Sequence, residues 1–146
     1  MRLKIQLPGS WKRQNKQDDP AIFCCQGSGS IFNVTWAEYL GREPLDVTKD
    51  KLKQNAARHG QENGYGEMSG SWSGECKFGI FGTATFRSTA HPWAQVWRIS
   101  DGRNQIMAAY ICDRWPEKSE VAEAQQIANS LTLGSEEPTK LKWKFW

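Results

Sequence analysis

Cysteine and histidine are the residue types that could supply a nucleophile or a metal ligand, and this chain of 146 residues has four cysteines and two histidines. They are His59, His91, Cys24, Cys25, Cys76 and Cys112. A cysteine nucleophile needs a neighbouring base or cation that lowers its pKa, and zinc sites draw ligand pairs from short spacings such as C-x2-C. No such pair occurs. We therefore expect free thiols packed as small core residues, with no metal site and no catalytic pair.

Two glycine-rich segments resemble motifs with a known chemistry, and both fail at a required position. Residues 70–74 read G-S-W-S-G, so Trp72 stands where a nucleophile elbow needs serine. Residues 64–66 read G-Y-G, but Ser69 stands in place of the third glycine of a dinucleotide-binding fingerprint. The sequence therefore predicts no cofactor and no catalytic residues, and we expect a protein that is not an enzyme.

Tryptophan is unusually frequent, with eight in the chain, and two of them share a predicted strand. Trp93 and Trp97 lie on one face of that strand with Gln95 between them, because alternate residues of a strand point the same way. Such a stripe could form an aromatic floor for a ligand or a peptide, since tryptophan is enriched at binding hot spots. More often it is sheet core beneath a helix. Both interpretations stay open at this point.

The C-terminal tail, residues 135–146, ends in an alternation of lysine and apolar residues. As a strand it would place its apolar side chains on one face and its lysines on the other. That strand could fold back on its own domain, or pair with the sheet edge of a partner or of a second copy in a homodimer. A Lys/Trp peptide could also lie at an anionic membrane surface. With the two strand tryptophans, the candidate partner-binding residues are Trp93, Trp97, Leu141, Trp143, Phe145 and Trp146.

Residues 91–133 contain the clearest structural pattern, which is strand, tight turn, strand and amphipathic helix. Apolar residues alternate over 93–99 and 106–112. Asp101 and Gly102 between these runs predict a hairpin with a type I′ turn, which needs positive φ at both central residues. The same alternation predicts further strands over residues 3–7, 21–26, 31–40, 65–72 and 76–86.

Two helices are predicted from apolar residues that recur at helical spacing. The first has Asp46 or Thr48 as its N-cap and ends at His59, because Gly60 is a suitable residue to follow a helix. The second spans residues 119–132, with the serine at its first position as the N-cap and an apolar stripe that should pack on the sheet. Together with the strands, they predict one α+β domain over residues 1–134, with an antiparallel sheet flanked by helices as an α/β/α sandwich.

Hydropathy and charge predict where the protein is located and which kinds of partner it does not bind. The N-terminal residues alternate instead of forming a continuous apolar run, so no signal peptide is predicted, and no stretch is long and apolar enough for a transmembrane segment. The net charge is +3, and residues 1–16 hold five basic residues and no acidic one. A solvated strand edge explains these charges better than a phosphate-binding face. We expect a cytoplasmic protein with no nucleic-acid partner.

The order of elements also resembles a known superfamily. The matching features are the L-P-G-S-W turn at residues 7–11 after the first strand, the helix from Asp46 to His59, and the terminal hairpin followed by a helix that closes with I-A-N-S-L at residues 127–131. Over residues 1–133 this order resembles the Mog/PsbP-like superfamily, which includes PsbP proteins, Ran-binding Mog proteins and bacterial DcrB-type domains.

The resemblance implies an α/β sandwich used for binding, and it transfers no catalytic residue. Some DcrB-type domains are chaperones for type VI secretion effectors. The resemblance therefore implies a non-enzymatic bacterial accessory protein that binds a protein partner, as an adaptor, an effector chaperone or an immunity protein. The alternative is a small-molecule or lipid-binding domain that uses the tryptophan-lined face of the sheet.

Overall fold

The alternating segments form strands and the amphipathic segments form helices in the computed structural model, which describes residues 2–16, 20–41 and 46–134. None of the helices in these ranges is both long enough and apolar enough to span a membrane. The elements in chain order are β1 (Arg2–Lys4), β2 (Trp11–Arg13), β3 (Ala21–Cys25), β4 (Ile31–Ala37), α1 (Lys49–Glu62), β5 (Glu67–Glu75), β6 (Ile80–Arg87), β7 (Trp93–Ser100), β8 (Gln105–Cys112), α2 (Lys118–Ser130) and β9 (Thr132–Gly134).

Seven of these strands form one antiparallel sheet in the order β2-β3-β4-β8-β7-β6-β5. The chain crosses from the β2–β4 half to the opposite edge through α1, so β4 pairs with β8 and not with β5. β1 and β9 form a separate two-stranded ribbon, with Leu3 opposite Leu133. The first predicted strand is therefore shorter than expected, and its partner β9 was not predicted at all.

Neighbouring residues of β7 point to opposite faces of the sheet and enter two separate cores. Trp97 packs in one core with Ile127 of α2, whereas Val96 packs in the other with Ala56 of α1. The sheet therefore lies between the two helices, and the predicted α+β sandwich is confirmed. The α2 side holds the larger aromatic residues, because Phe32 of β4 and Tyr110 of β8 are both fully buried there.

The predicted hairpin of β7 and β8 is confirmed, but its predicted turn is wrong. Ser100 pairs with Gln105, which leaves four residues in the loop. A type I′ turn would need positive φ at Asp101, yet among the described residues only glycines have positive φ, and Gly102 is one of them at 97°. Instead, Asp101 Oδ1 accepts a hydrogen bond of 2.7 Å from the backbone N–H of Asn104. The aspartate side chain therefore closes the loop.

Helix α1 begins as predicted and ends later than predicted. The side chain of Thr48 accepts a hydrogen bond from the first turn, which confirms it as the N-cap. Gly60 does not end the helix but lies buried inside it, where an added Cβ would stand 2.1 Å from the ring of Phe86. Gly82 of β6 lies equally close to α1, since a Cβ there would stand 2.1 Å from its backbone. These two glycines let the helix sit directly on the sheet.

Helix α2 begins one residue earlier than predicted, so Glu117 and not Ser119 is its N-cap residue, and the Glu117 side chain makes no capping bond. Its apolar stripe packs on the sheet as predicted. One charged side chain, that of Glu120, is buried on the same face of the helix. The buried residues of the helix are Glu120, Ala124, Ile127 and Ala128.

Candidate functional site

A cleft with a volume of about 470 Å³ lies where α2 begins. Residues 26–30, which connect β3 to β4, form one wall, and residues 114–117, which connect β8 to α2, form the other. Both connections meet the sheet at the same end, because β4 and β8 are antiparallel neighbours. The cleft therefore follows from the strand order, although its walls are far apart in the sequence.

Glu120 forms the floor of this cleft, and its side chain is held by hydroxyl groups. Its Oε2 accepts a hydrogen bond of 2.7 Å from Ser30 Oγ and another from the phenol of Tyr110. Glu120 is 8% exposed, and this burial by itself raises the pKa of its carboxyl. Hydrogen bonds from Ser28, Tyr110 and Ser30 lower the pKa by more than burial raises it, so it lies below its ordinary value. The positive end of α2 acts in the same direction. Glu120 is therefore a carboxylate at neutral pH.

Two cysteine thiols lie beside this carboxylate. Cys25 lines the cleft, and burial is the main cause that raises its pKa. Cys112 is fully buried, and burial raises its pKa as well. Burial, together with Cys112 and Glu120, also raises the pKa of Tyr110. These three groups are therefore protonated at neutral pH, and a protonated thiol is a poor nucleophile.

Two further glutamates line the cleft beside Glu120 at spacings of three residues, namely the N-cap residue Glu117 and Glu123 of α2. Glu123 Oε1 accepts hydrogen bonds of 3.1 Å from Trp11 Nε1 and 3.3 Å from Ser10 Oγ, which ties α2 to the start of β2. Glu117 is exposed at the helix start. Arg114 is the basic residue among those that line the cleft, so its described lining carries more negative than positive charge.

Trp115 lies at the mouth of the cleft with 59% of its surface exposed. Its ring meets that of Trp93 edge to face, at 6.3 Å between centroids. The guanidinium carbon of Arg87 lies 4.9 Å from the centroid of Trp115. Contacts on two sides hold the indole in place, so the cleft has a pre-oriented aromatic group at its opening.

Trp93 and Trp97, the two tryptophans predicted to form a binding floor, have different environments. Trp97 is 2% exposed and packs against Phe32 at 5.6 Å between ring centroids, so it is sheet core, the second interpretation of the stripe. Burial leaves Trp97 no surface for a partner. Trp93 is half-buried and supports Trp115. The other proposed partner-binding residues lie outside the described part of the chain, and they are Leu141, Trp143, Phe145 and Trp146.

The burial of Glu120 has a signal in the sequence. The buried stripe of α2 includes Ala124, Ile127 and Ala128, and the position one turn before Ala124 is Glu120. A charged residue at the start of an apolar stripe either stays exposed, because the end of the helix frays, or is buried together with hydrogen-bond partners. No comparable pattern marks Trp115, because its exposure depends on how the loop before α2 turns.

The cysteines and histidines do not assemble into a reactive or metal-binding group in the described ranges. The four cysteines are free thiols. Within residues 2–16, 20–41 and 46–134, no group of three or more His, Cys, Asp or Glu side chains could hold a metal ion. The two histidines instead lie on either side of Tyr65, at ring-centroid distances of 6.1 Å for His59 and 5.9 Å for His91.

Comparison with known proteins identifies the fold. No protein-family model matches the chain. No curated protein matches it either. The solution structure of cyanobacterial PsbP (CyanoP) from Synechocystis sp. PCC 6803 matches with a TM-score of 0.57 at 12% sequence identity, covering 91% of this chain and 93% of that one. A crystal structure from Bacteroides thetaiotaomicron VPI-5482 matches with a TM-score of 0.46 at 10% identity, covering 92% of this chain and 46% of that one.

The chain thus has the Mog/PsbP-like fold, and the resemblance drawn from the order of elements is confirmed at the level of the fold. At this sequence identity the likeness carries no function, because one fold supports many functions.

Proposed function

We propose that this protein is a non-enzymatic accessory protein that binds a protein partner, and that the cleft at the start of α2 receives a lysine or arginine side chain of that partner. The observation that carries the proposal is the line of three glutamates along an open cleft with an exposed, supported tryptophan at its mouth. The proposal includes a cytoplasmic setting and, as the resemblance implies, a bacterial source and an adaptor, effector-chaperone or immunity role.

The charge of the cleft supports a basic side chain as the occupant. Glu120 is ionised at the floor, where water is largely excluded and a charge-assisted hydrogen bond is stronger than in solution. A carboxylate offers about four lone-pair sites, so Glu120 can accept a further donor beside Ser30 and Tyr110. Glu117 at the rim would attract the same cation during its approach.

The aromatic group at the mouth supports the same occupant. A guanidinium or ammonium group in the cleft can contact Trp115, which lines it and whose face attracts cations. Arg87 of this chain already lies against that ring, so an entering cation would contact the exposed part of the indole beside it. Tryptophan and arginine are also the residues most often found at the energetic centre of protein interfaces.

The first experiment uses a minimal mimic of the proposed side chain. ¹⁵N-labelled protein is titrated with N-acetyl-arginine amide and, separately, with N-acetyl-citrulline amide, which has the same shape without the charge. We expect the arginine compound to shift the indole N–H of Trp115 and the backbone N–H signals of Ser119 and Glu120, and the citrulline compound to shift them far less. Equal shifts from both compounds, or none from either, would overturn the cationic occupant.

The second experiment tests whether a protein partner uses the cleft. Partners captured from a native lysate by the wild type are compared with those captured by Trp115→Ala and Glu117→Gln, both of which change exposed side chains. The matched controls are Trp72→Ala and Glu67→Gln on β5, which are also exposed. Loss of one partner in both cleft variants but in neither control supports the proposal, and its retention in all four variants contradicts it.

A small-molecule ligand is the second candidate function, and the size of the cleft favours it. About 470 Å³ lies within the range of ligand pockets, about 300–1,000 Å³. The ligand would be an organic amine, because the same glutamates would bind it. Stabilisation of the purified protein by amines, with no partner captured from lysate, would support this function over the first.

The tail remains part of the protein-binding proposal. Its alternating lysine and apolar residues suit pairing with a partner strand or with a second copy of the chain. A chain that ends at Pro138 is compared with the full-length chain in the same capture experiment and in sedimentation. A partner or a dimer lost on truncation would make the tail a recognition element, and unchanged behaviour would leave recognition to the folded domain.

A further inference from the structure

A second groove lies on the opposite face of the sheet, beside α1. Helix α1 packs mainly on β5, β6 and β7 and reaches β8 at Ala109, so among the described elements it leaves β3, β4 and the Met107 end of β8 largely uncovered on this face. Two cavities of about 250 Å³ and 160 Å³ follow the uncovered part, and both are lined by Thr35 and Met107. The two cavities therefore adjoin each other and are together called the groove, whose larger part borders the end of α1 at His59 and Asn63.

Arg98 of β7 supplies the positive charge of this groove. It lines the smaller cavity and lies half-buried between Gly82 and Met107 on the neighbouring strands. Its Nε is buried and has no hydrogen-bond partner in the described part of the chain. The charged groups that act on it are Arg58 and Glu62 of α1, and the exposed Glu62 makes no ion pair with it there. A half-buried guanidinium without a bonded anion is costly, so this position favours an anion that can supply the missing bonds.

The remaining lining residues select the kind of anion. Within the described residues, no aspartate or glutamate lines either cavity. Thr35 and Gln105 offer neutral hydrogen-bonding groups in the cavity that contains the arginine, and Asn33 offers another in the larger cavity. The far end of the groove holds Tyr65 and Ala109, both largely buried, together with the end of α1, where the helix dipole is negative. This end offers nothing to a second negative charge, so an anion with its charge at one end and an apolar body at the other fits the groove better than phosphate does.

We propose that this groove binds a small organic carboxylate, with its carboxylate on Arg98 and its apolar body along Met107 toward Tyr65. A carboxylate is planar and matches the fork of a guanidinium with two parallel hydrogen bonds. The site is independent of the cleft at α2, because it lies on the other face of the sheet and has the opposite charge. It could therefore bind its ligand whether or not the α2 cleft binds a partner.

The probes that test this proposal are benzoate, 3-phenylpropionate and 4-phenylbutyrate, each compared with its uncharged amide. The readouts are the Nε–H signal of Arg98 and the methyl signal of Met107 in labelled wild-type protein. We expect at least one acid to shift both signals in a saturable way below about 10 mM, and its amide to bind at least about tenfold more weakly. This comparison needs no variant, so it stays valid even if substitutions at Arg98 impair folding.

Two substitutions extend the test. Arg98→Gln should weaken the acid by about tenfold or more, whereas Arg2→Gln, which alters an exposed arginine of β1, should leave its affinity unchanged. Equal affinities for an acid and its amide would mean that the groove binds the apolar body without recognising the anion, which would overturn the carboxylate assignment. Equal shifts with inorganic phosphate would overturn the carboxylate assignment. Saturation with shifts confined to other residues, or no shift up to about 10 mM, would overturn the site itself.

Discussion

The phenol of Tyr110 donates a hydrogen bond to the carboxylate of Glu120, and this contact joins the β8 strand to the first turn of α2. Both residues are buried, Tyr110 completely, and Ser30 donates to the same carboxylate oxygen from the β3–β4 connection. One ionised group therefore joins the neighbouring segments β8 and α2 to the β3–β4 connection, which is distant from both in the sequence. The cleft at the start of α2 depends on this junction, because the same segments form its floor and walls.

Glu120→Ala should destabilise the protein by about 3 kcal/mol, because it leaves the hydroxyls of Tyr110 and Ser30 buried without their acceptor. Urea unfolding followed by tryptophan fluorescence measures this loss. Glu117→Ala is the matched control, since it removes an exposed glutamate of the same helix and should change stability by less than about 0.5 kcal/mol. Equal effects of the two substitutions would show that the junction carries no particular stability.

Stability should fall when the pH drops below about 4.5, the ordinary pKa of a glutamate. The pKa of Glu120 is lower in the folded protein, so its contribution is present above the ordinary pKa and is lost as the pH falls through the folded-state pKa. The measurement is the free energy of unfolding between pH 7 and pH 3 for wild type and Glu120→Gln. The difference between them should shrink toward acid pH, and a constant difference would contradict the lowered pKa.

The pKa of His59 should lie below 6.5 in the folded protein, because burial and then the charge of Arg98 lower it, against a smaller opposite effect of Glu62. Stability linked to His59 is therefore full above 6.5 and declines as the pH falls toward the folded-state pKa. Proton NMR of the imidazole measures the value directly. Arg98→Gln should raise it part of the way toward 6.5, whereas Arg87→Gln should leave it unchanged. A pKa of His59 above 6.5 in the wild type would refute this prediction.

Trp97→Ala and Trp115→Ala should separate packing from recognition. Trp97 is core, so its removal should cost about 3–5 kcal/mol of stability. Trp115 is mostly exposed, so its removal should cost less than about 1 kcal/mol and act mainly on ligand or partner binding. Thermal unfolding of the two variants checks the order. A larger loss in Trp115→Ala would mean that its contacts with Trp93 and Arg87 stabilise the fold itself.

Gly82→Ala should destabilise the protein by about 3 kcal/mol, because the added Cβ would lie 2.1 Å from the backbone of α1 and force the helix away from the sheet. Gly9→Ala is the control, since a Cβ there meets nothing within 4 Å. Urea unfolding compares the two variants. Similar stability of both would mean that α1 shifts on the sheet at little cost.

Much of the fold could be predicted because it follows from local patterns. Alternation placed β7 and β8, and Thr48 was recognised as an N-cap because its side chain bonds within its own first turn. The predictions were wrong where the local structure depends on contact with a residue that is distant in the sequence. The local pattern predicts that Gly60 ends α1, yet Gly60 lies inside the helix. The ring of Phe86 occupies the space that a side chain at this position would need.

The candidate site was less predictable than the fold for the same reason. Trp93 and Trp97 follow the same alternating pattern, yet Trp97 is buried in the core and Trp93 is only half-buried. The difference depends on where α2 and the loop before it lie. Arg98 is an ordinary strand residue in the sequence, and its Nε lacks a hydrogen-bond partner only because the packing of α1 brings Glu62 near it without an ion pair in the described part of the chain.

The sequence by itself determined the α+β class, the hairpin, both helices and the scarcity of reactive groups, because these depend on hydrophobic periodicity and residue type over a few neighbouring positions. The tertiary structure alone decided the strand order, the pairing of β1 with β9, the burial of Glu120 against Tyr110 and the two grooves of opposite charge. These features join residues far apart in the chain, and the burial of a charged group depends on which distant donors the fold brings to it.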